Sequence, residues 1–153
     1  MANKKFWVGI LVMVLVFGMS VIGCDNGNDN GGDTNALDTV NWSTAPLSEQ
    51  AGEISGLSQS QFETIRNASG GGFLGWVIED GELVMAWTGR SAANFNSVVS
   101  AIVGLPGRTE ENREVEAGIH FVEGNNFVLI FNSVRTSYDG LYVPAGTLIA
   151  VFF

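Results

Sequence analysis

One cysteine, Cys24, and one histidine, His120, stand out among the residues suited to nucleophile, base or soft-metal chemistry in this 153-residue sequence. A nucleophile needs a base within hydrogen-bonding reach and a third group to orient that base. No serine or cysteine is recognisably paired with His120, and its neighbours Ile119 and Phe121 suit a packed histidine better. Gly89-Arg90-Ser91-Ala92 places a serine at the tip of an expected strand-to-helix turn, but the glycine pattern of a nucleophile elbow is missing. Ser91 is better explained as a helix N-cap. Glu79 and Glu82 could be a carboxylate pair for glycoside chemistry, yet they flank Asp80-Gly81, an exposed turn with no cleft implied. Gly70, Gly72 and Gly75 have the G-x-G-x-x-G spacing. A phosphate loop needs a strand before the glycines and a helix after them, and here the expected order is the reverse. Asn26, Asn28, Asn30 and Gly31 fit the offsets of a calcium loop, but the twelfth position is Leu37 and flanking helices are absent. One histidine and one cysteine give no zinc-ligand spacing. These residues nominate no catalytic group, no metal site and no cofactor.

Cys24 has a different context. Lys4 and Lys5 precede an uncharged run, Phe6 to Met19, whose length fits the apolar core of an export signal and falls short of the roughly 20 residues of a spanning helix. Val21-Ile22-Gly23-Cys24 then supplies an aliphatic residue, a tolerant position, a small residue and a cysteine. This segment resembles the lipobox of bacterial lipoproteins. The resemblance covers residues 1–24 and implies a diacylglyceryl group on the Cys24 sulfur, with cleavage just before that cysteine. It also implies a place in the cell envelope, lipid-anchored and facing the periplasm or the exterior. A free thiol or an intermolecular disulfide is the plainer account of a lone cysteine, but a polar segment directly after it favours lipidation.

Composition narrows the partners. The formal charge is −9, with 16 acids. Loss of 1–23 removes both lysines and no acid, leaving Arg66, Arg90, Arg108, Arg113 and Arg135 as the basic residues. Nucleic-acid binding requires a basic footprint that displaces counterions from phosphates, so none is expected; adhesion to anionic headgroups by charge is equally disfavoured. With one cysteine, an intrachain disulfide is impossible, and the domain must be stable through its apolar core.

The elements follow in order. Residues 24–45, rich in Asn, Asp and Gly, read as a flexible tether, with Trp42 and Leu47 placed to dock it. A single domain is expected over 46–153. Gln59 to about Ala68 reads as a helix, with Ser58 and Gln61 forming a capping box. Phe73–Glu79 and Glu82–Thr88 read as a hairpin about Asp80-Gly81. That register pairs Glu79 with Glu82, Ile78 with Leu83, Trp76 with Met85 and Leu74 with Trp87. Trp76 and Trp87 could be a sugar-stacking platform, but their apolar neighbours favour a core role. Phe95, Val98, Val99 and Ile102 mark one face of a second helix over Ser91–Val103. Residues 107–114 read as a charged loop and a candidate partner surface. Val115–Val122 and Phe127–Ser133 read as a second hairpin, apolar on both faces, and Thr147–Phe153 as a final strand that must insert in the sheet. The expected class is α+β: about five mostly antiparallel strands with two helices packed on them, in the order αββ-αββ-β, with a possible internal duplication. The function expected is a non-catalytic binding module for an envelope protein or a glycan. The alternative is a small envelope hydrolase, or an accessory subunit of one, using His120 or the acidic turn.

Overall fold

The computed structural model describes residues 34–138 and 140–153. The expected signal segment 1–23, Cys24 and the asparagines at 26–30 lie outside the described residues. Among the described residues there are three α-helices, α1 (Glu49–Ser55), α2 (Gln59–Ala68) and α3 (Ala92–Val103), and one 3-10 turn at Ala36–Thr39. The strands are β1 (Thr34–Asn35), β2 (Phe73–Glu79), β3 (Glu82–Trp87), β4 (Glu110–Glu116), β5 (Ile119–Gly124), β6 (Phe127–Asn132), β7 (Thr136–Tyr138), β8 (Leu141–Val143) and β9 (Thr147–Phe152).

The α+β class stands, but the counts differ from the expectation. The main sheet has six strands in the order β2-β3-β9-β6-β5-β4, with every neighbouring pair antiparallel. A second sheet of order β1-β8-β7 lies apart from it. The additional helix is α1. Ser48 caps it by accepting from the Ala51 amide at 3.1 Å, and Gly56 ends it at φ 66°.

Alternation along the strands feeds two cores. On one face, Leu83, Met85, Trp87, Val122, Leu129, Phe131, Leu148, Ala150 and Phe152 pack against Phe62 and Ile65 of α2 and Phe95, Val98, Val99 and Ile102 of α3. On the other, Val84, Ala86, Phe121, Val128, Ile130, Ile149 and Val151 pack against Ala36, Leu37 and Val143. The molecule is thus three layers deep: helices, main sheet, and an outer layer built from residues 34–42 and the β7–β8 hairpin. Strands β6 and β9 are buried along their whole length, as strands covered on both faces must be.

This outer layer corrects the tether boundary. Residues 34–45 were expected to be tether, but Ala36 and Leu37 are 1% and 2% exposed. The Trp42 indole N–H donates to the Leu37 carbonyl at 2.9 Å. Ser43 exchanges both backbone hydrogen bonds with Trp76, each at 2.9 Å. Three apolar side chains in a polar segment, Leu37, Val40 and Trp42, suffice to hold it against the sheet.

The first hairpin keeps its expected register from Trp76–Met85 to Glu79–Glu82. It departs at Leu74. A bulge between Phe73 and Gly75 pairs Phe73, not Leu74, with Trp87. Phe73 therefore joins the helix side and Leu74 the outer side. Gly75 sits at φ 151°, where a Cβ would come within 2.6 Å of the Ser43 carbonyl oxygen. The bulge follows from the crossing of residues 42–43 over β2.

The second hairpin is a three-stranded meander. Val115–Val122 is not one strand: Ala117 and Gly118, at φ 50° and 80°, form a two-residue turn between β4 and β5. Residues 110–114 of the expected charged loop belong, with Val115 and Glu116, to strand β4. The duplication also fails in space. Both β3 and β6 border β9 and run alike, while β2 and β5 flank them on opposite sides and the helices share one face. Such units are mirror images in arrangement, which two copies of one chiral unit do not superpose upon.

Candidate functional site

The residues singled out by chemistry are dispersed. His120 is half-buried on the helix side of β5. Its ring lies 5.8 Å from that of Phe95 and 5.3 Å from that of Phe131. It makes no hydrogen bond to the described residues, so no carboxylate or hydroxyl orients it as a base. Ser91 caps α3 in a capping box: its Oγ accepts from the Asn94 amide at 3.3 Å, and its own amide donates to Asn94 Oδ1 at 2.9 Å. Glu79 and Glu82 face each other beside the turn. Burial, then the nearby Asp80 carboxylate, raises the Glu82 carboxyl above its usual range. The glycines at 70–75 follow α2 and open β2, the reverse of a phosphate loop. Among the described residues no cluster of His, Cys, Asp and Glu could hold a metal ion. Leu37, at the twelfth calcium-loop position, is a core residue.

The tryptophans are structural. Trp87 is fully buried and Trp76 is 9% exposed. Their indole N–H groups donate to the Arg66 carbonyl at 3.1 Å and the Ala45 carbonyl at 2.9 Å. A stacking platform would need open ring faces, so that reading is set aside.

The arginines are each engaged by neighbouring groups, Arg113 and Arg135 while still exposed. Arg66 lies 5.0 Å from the Phe73 ring centroid, Arg108 5.5 Å from Phe152, Arg113 5.8 Å from Phe95 and Arg135 4.0 Å from Tyr142. Arg90 Nε and Nη1 donate to the Thr88 and Ser69 carbonyls, both at 2.9 Å. Arg108 donates to the Asn126 carbonyl at 2.8 Å and to the Ser55 carbonyl, joining α1 to the β5–β6 turn. Guanidinium groups suit this work because one planar fork serves several acceptors.

What remains outward is β4. Among the described residues it pairs with β5 alone, and it is exposed along almost its whole length, with Val115 at 62%. Cross-strand partners share a face. Val115 and Arg113, opposite His120 and Val122, lie on the helix side; Glu114 and Glu116, opposite Phe121 and Ile119, lie on the outer side. Arg113 donates to Glu110 at 2.8 and 2.9 Å and to Asn96 of α3 at 2.7 Å. These bonds hold the Glu110 carboxyl below its usual range and raise the Arg113 guanidinium. Glu114 accepts from Asn112 at 3.0 Å. The two-residue Ala117-Gly118 turn makes Glu116–Ile119 a hydrogen-bonded pair. Alternation then directs the backbone N–H and C=O of Glu114 toward β5, and those of Arg113 and Val115 toward the open side.

The opposite edge, β2, is treated differently. Ser43 occupies its backbone at Trp76. The sheet therefore has one edge covered in part by its own chain and one left open. The charged surface at 107–114 is legible in the sequence but the strand is not, because Glu-Glu-Asn-Arg-Glu-Val-Glu has no apolar alternation to betray it. The signal present was the turn: Ala117-Gly118 followed by the alternating Ile119–Val122 demands a partner strand just before it.

Comparison of the chain with family models, with curated proteins and with solved structures finds no match.

Proposed function

We propose that this chain is an extracytoplasmic bacterial lipoprotein, anchored in a membrane through lipid on Cys24, whose folded domain is a non-catalytic binding module. The observation that carries the anchor is Val21-Ile22-Gly23-Cys24 at the end of a positively led apolar segment. The folded residues begin no later than Thr34, so at most nine residues, or ten Cα–Cα steps, separate the domain from the anchor. Fully extended, they reach about 35 Å. The domain works close to the membrane surface. For the domain itself, the reading rests on how its side chains are used: arginines, serines and tryptophans serve caps and packing, and His120 is set between two phenylalanines. The partner class is an envelope protein rather than a glycan, since the tryptophans that a sugar would stack on are buried.

The anchor is tested by metabolic labelling with a radioactive fatty acid. Wild type is expected to incorporate label and to migrate as a processed form. Cys24→Ala is expected to lose the label and remain at precursor size. Normal processing of that variant overturns the anchor.

A further inference from the structure

The contrast between the two sheet edges leads further than the dispersed polar residues do. An unpaired edge is a row of backbone donors and acceptors ready for another strand. On β4 those groups belong to Arg113 and Val115, and the side chains around them sort by face. The outer side carries Glu114 and Glu116, neither held by an arginine among the described residues. The helix side carries Val115, 62% exposed, next to Arg113, which is already bound to Glu110 and Asn96.

We propose that the open edge of β4 is a docking site for an extended basic segment of another protein, taken up as an added strand. Backbone pairing supplies the attachment and the side chains choose the guest. A segment with lysine or arginine at alternate positions sets its cations against Glu114 and Glu116 on the outer side. The intervening residues, if apolar, meet Val115 on the helix side. Opposite charges directly across a pair of strands stabilise it, and like charges oppose it. That rule also disfavours a second copy of this chain. An antiparallel β4 pair centred on Arg113 sets arginine against arginine and Glu110 against Glu116; one centred on Val115 sets Glu114 against Glu116. The proposal deepens the binding-module reading above and is independent of the anchor: one test reads lipid on Cys24, the other reads backbone protection on β4.

The experiment uses the full chain in detergent micelles and synthetic peptides of about eight residues, long enough to span the strand. One alternates lysine with valine, one lysine with glycine, and one glutamate with valine. Amide hydrogen exchange is followed by NMR. The lysine–valine peptide is expected to slow exchange at Arg113 and Val115 while leaving β2 unchanged. The lysine–glycine peptide has the same charge but poor strand propensity, and is expected to bind at least about tenfold more weakly. The double variant Glu114→Lys, Glu116→Lys is expected to exchange lysine–valine for glutamate–valine as its preferred guest. Val115→Pro removes an outward N–H without breaking the ladder to β5 and is expected to abolish protection at Arg113. If that variant fails to fold, the charge reversal decides alone. Equal binding of the two lysine peptides would mean charge without strand addition and overturns the proposal. So does absence of protection on β4 at millimolar lysine–valine peptide, or a charge-reversed variant with unchanged preference.

Discussion

Glu82 stands opposite Glu79 and next to Asp80 in a tight turn, partly withdrawn from water. Burial first and the Asp80 charge second raise its carboxyl pKa. A carboxyl raised in the folded state binds its proton more tightly there than in the unfolded chain. Ionised Glu82 therefore weakens the fold at neutral pH, and this loss disappears as pH falls through its folded pKa toward its unfolded one. Glu82→Gln is expected to raise the melting temperature at neutral pH, with the gain shrinking to nothing below the ordinary glutamate range. Thermal melts of both proteins across pH check this; a gain that persists in acid would assign the effect to packing. Arg108 is likewise partly withdrawn from water, which disfavours its charged form, but it is placed to donate hydrogen bonds. It holds the Ser55 and Asn126 carbonyls and covers Phe152, with burial lowering its pKa. Arg108→Ala is expected to cost about 2 kcal/mol in urea unfolding. Arg108→Lys is expected to recover little, because an ammonium does not span both acceptors.

At the scale of elements, the strongest local signals were true to the fold. The Ser58 and Ser91 caps, the apolar stripe of α3 and the Asp80-Gly81 turn all rest on contacts within a few residues, and such contacts are written in local sequence. The departures come from contacts made at a distance. Leu74 lost its expected place opposite Trp87 because Ser43 crosses β2, a partner more than thirty positions earlier. Gly75→Ala is expected to destabilise the domain by about 2 kcal/mol, since a Cβ would press on the Ser43 carbonyl at an unfavourable φ. Hydrogen exchange should show Ser43 losing protection while Leu83–Ala86 keep theirs; uniform loss would mean that the crossing is not a separable element. Strand β4 was missed for another reason. An edge strand buries little, so its residues need not alternate. Helix α1 is short, and Ala51 with the half-buried Ile54 gives it little apolar periodicity. The candidate site was legible only as charge: Arg113 and Glu114 were in the expected surface, while the open backbone that makes it a site belongs to the sheet order.

For the molecule as a whole, a strand apolar on both faces signalled a buried sheet centre, and the need to shelter Val151-Phe152 implied insertion of β9. Neither indicated which strands β9 would join. It lies between β3 and β6, and the β2–β3 hairpin and the β6-β5-β4 meander share no backbone hydrogen bonds except through it. The consequence concerns timing. Until residues 147–152 are added, the main sheet is two pieces with no backbone ladder between them, each with an apolar edge that β9 covers in the finished fold. Loop closure over such sequence distances is slow. Under the export proposed above, the chain would cross the membrane as an unfolded thread, and a joining strand that follows the other described strands in sequence would delay premature folding until the domain is on the far side.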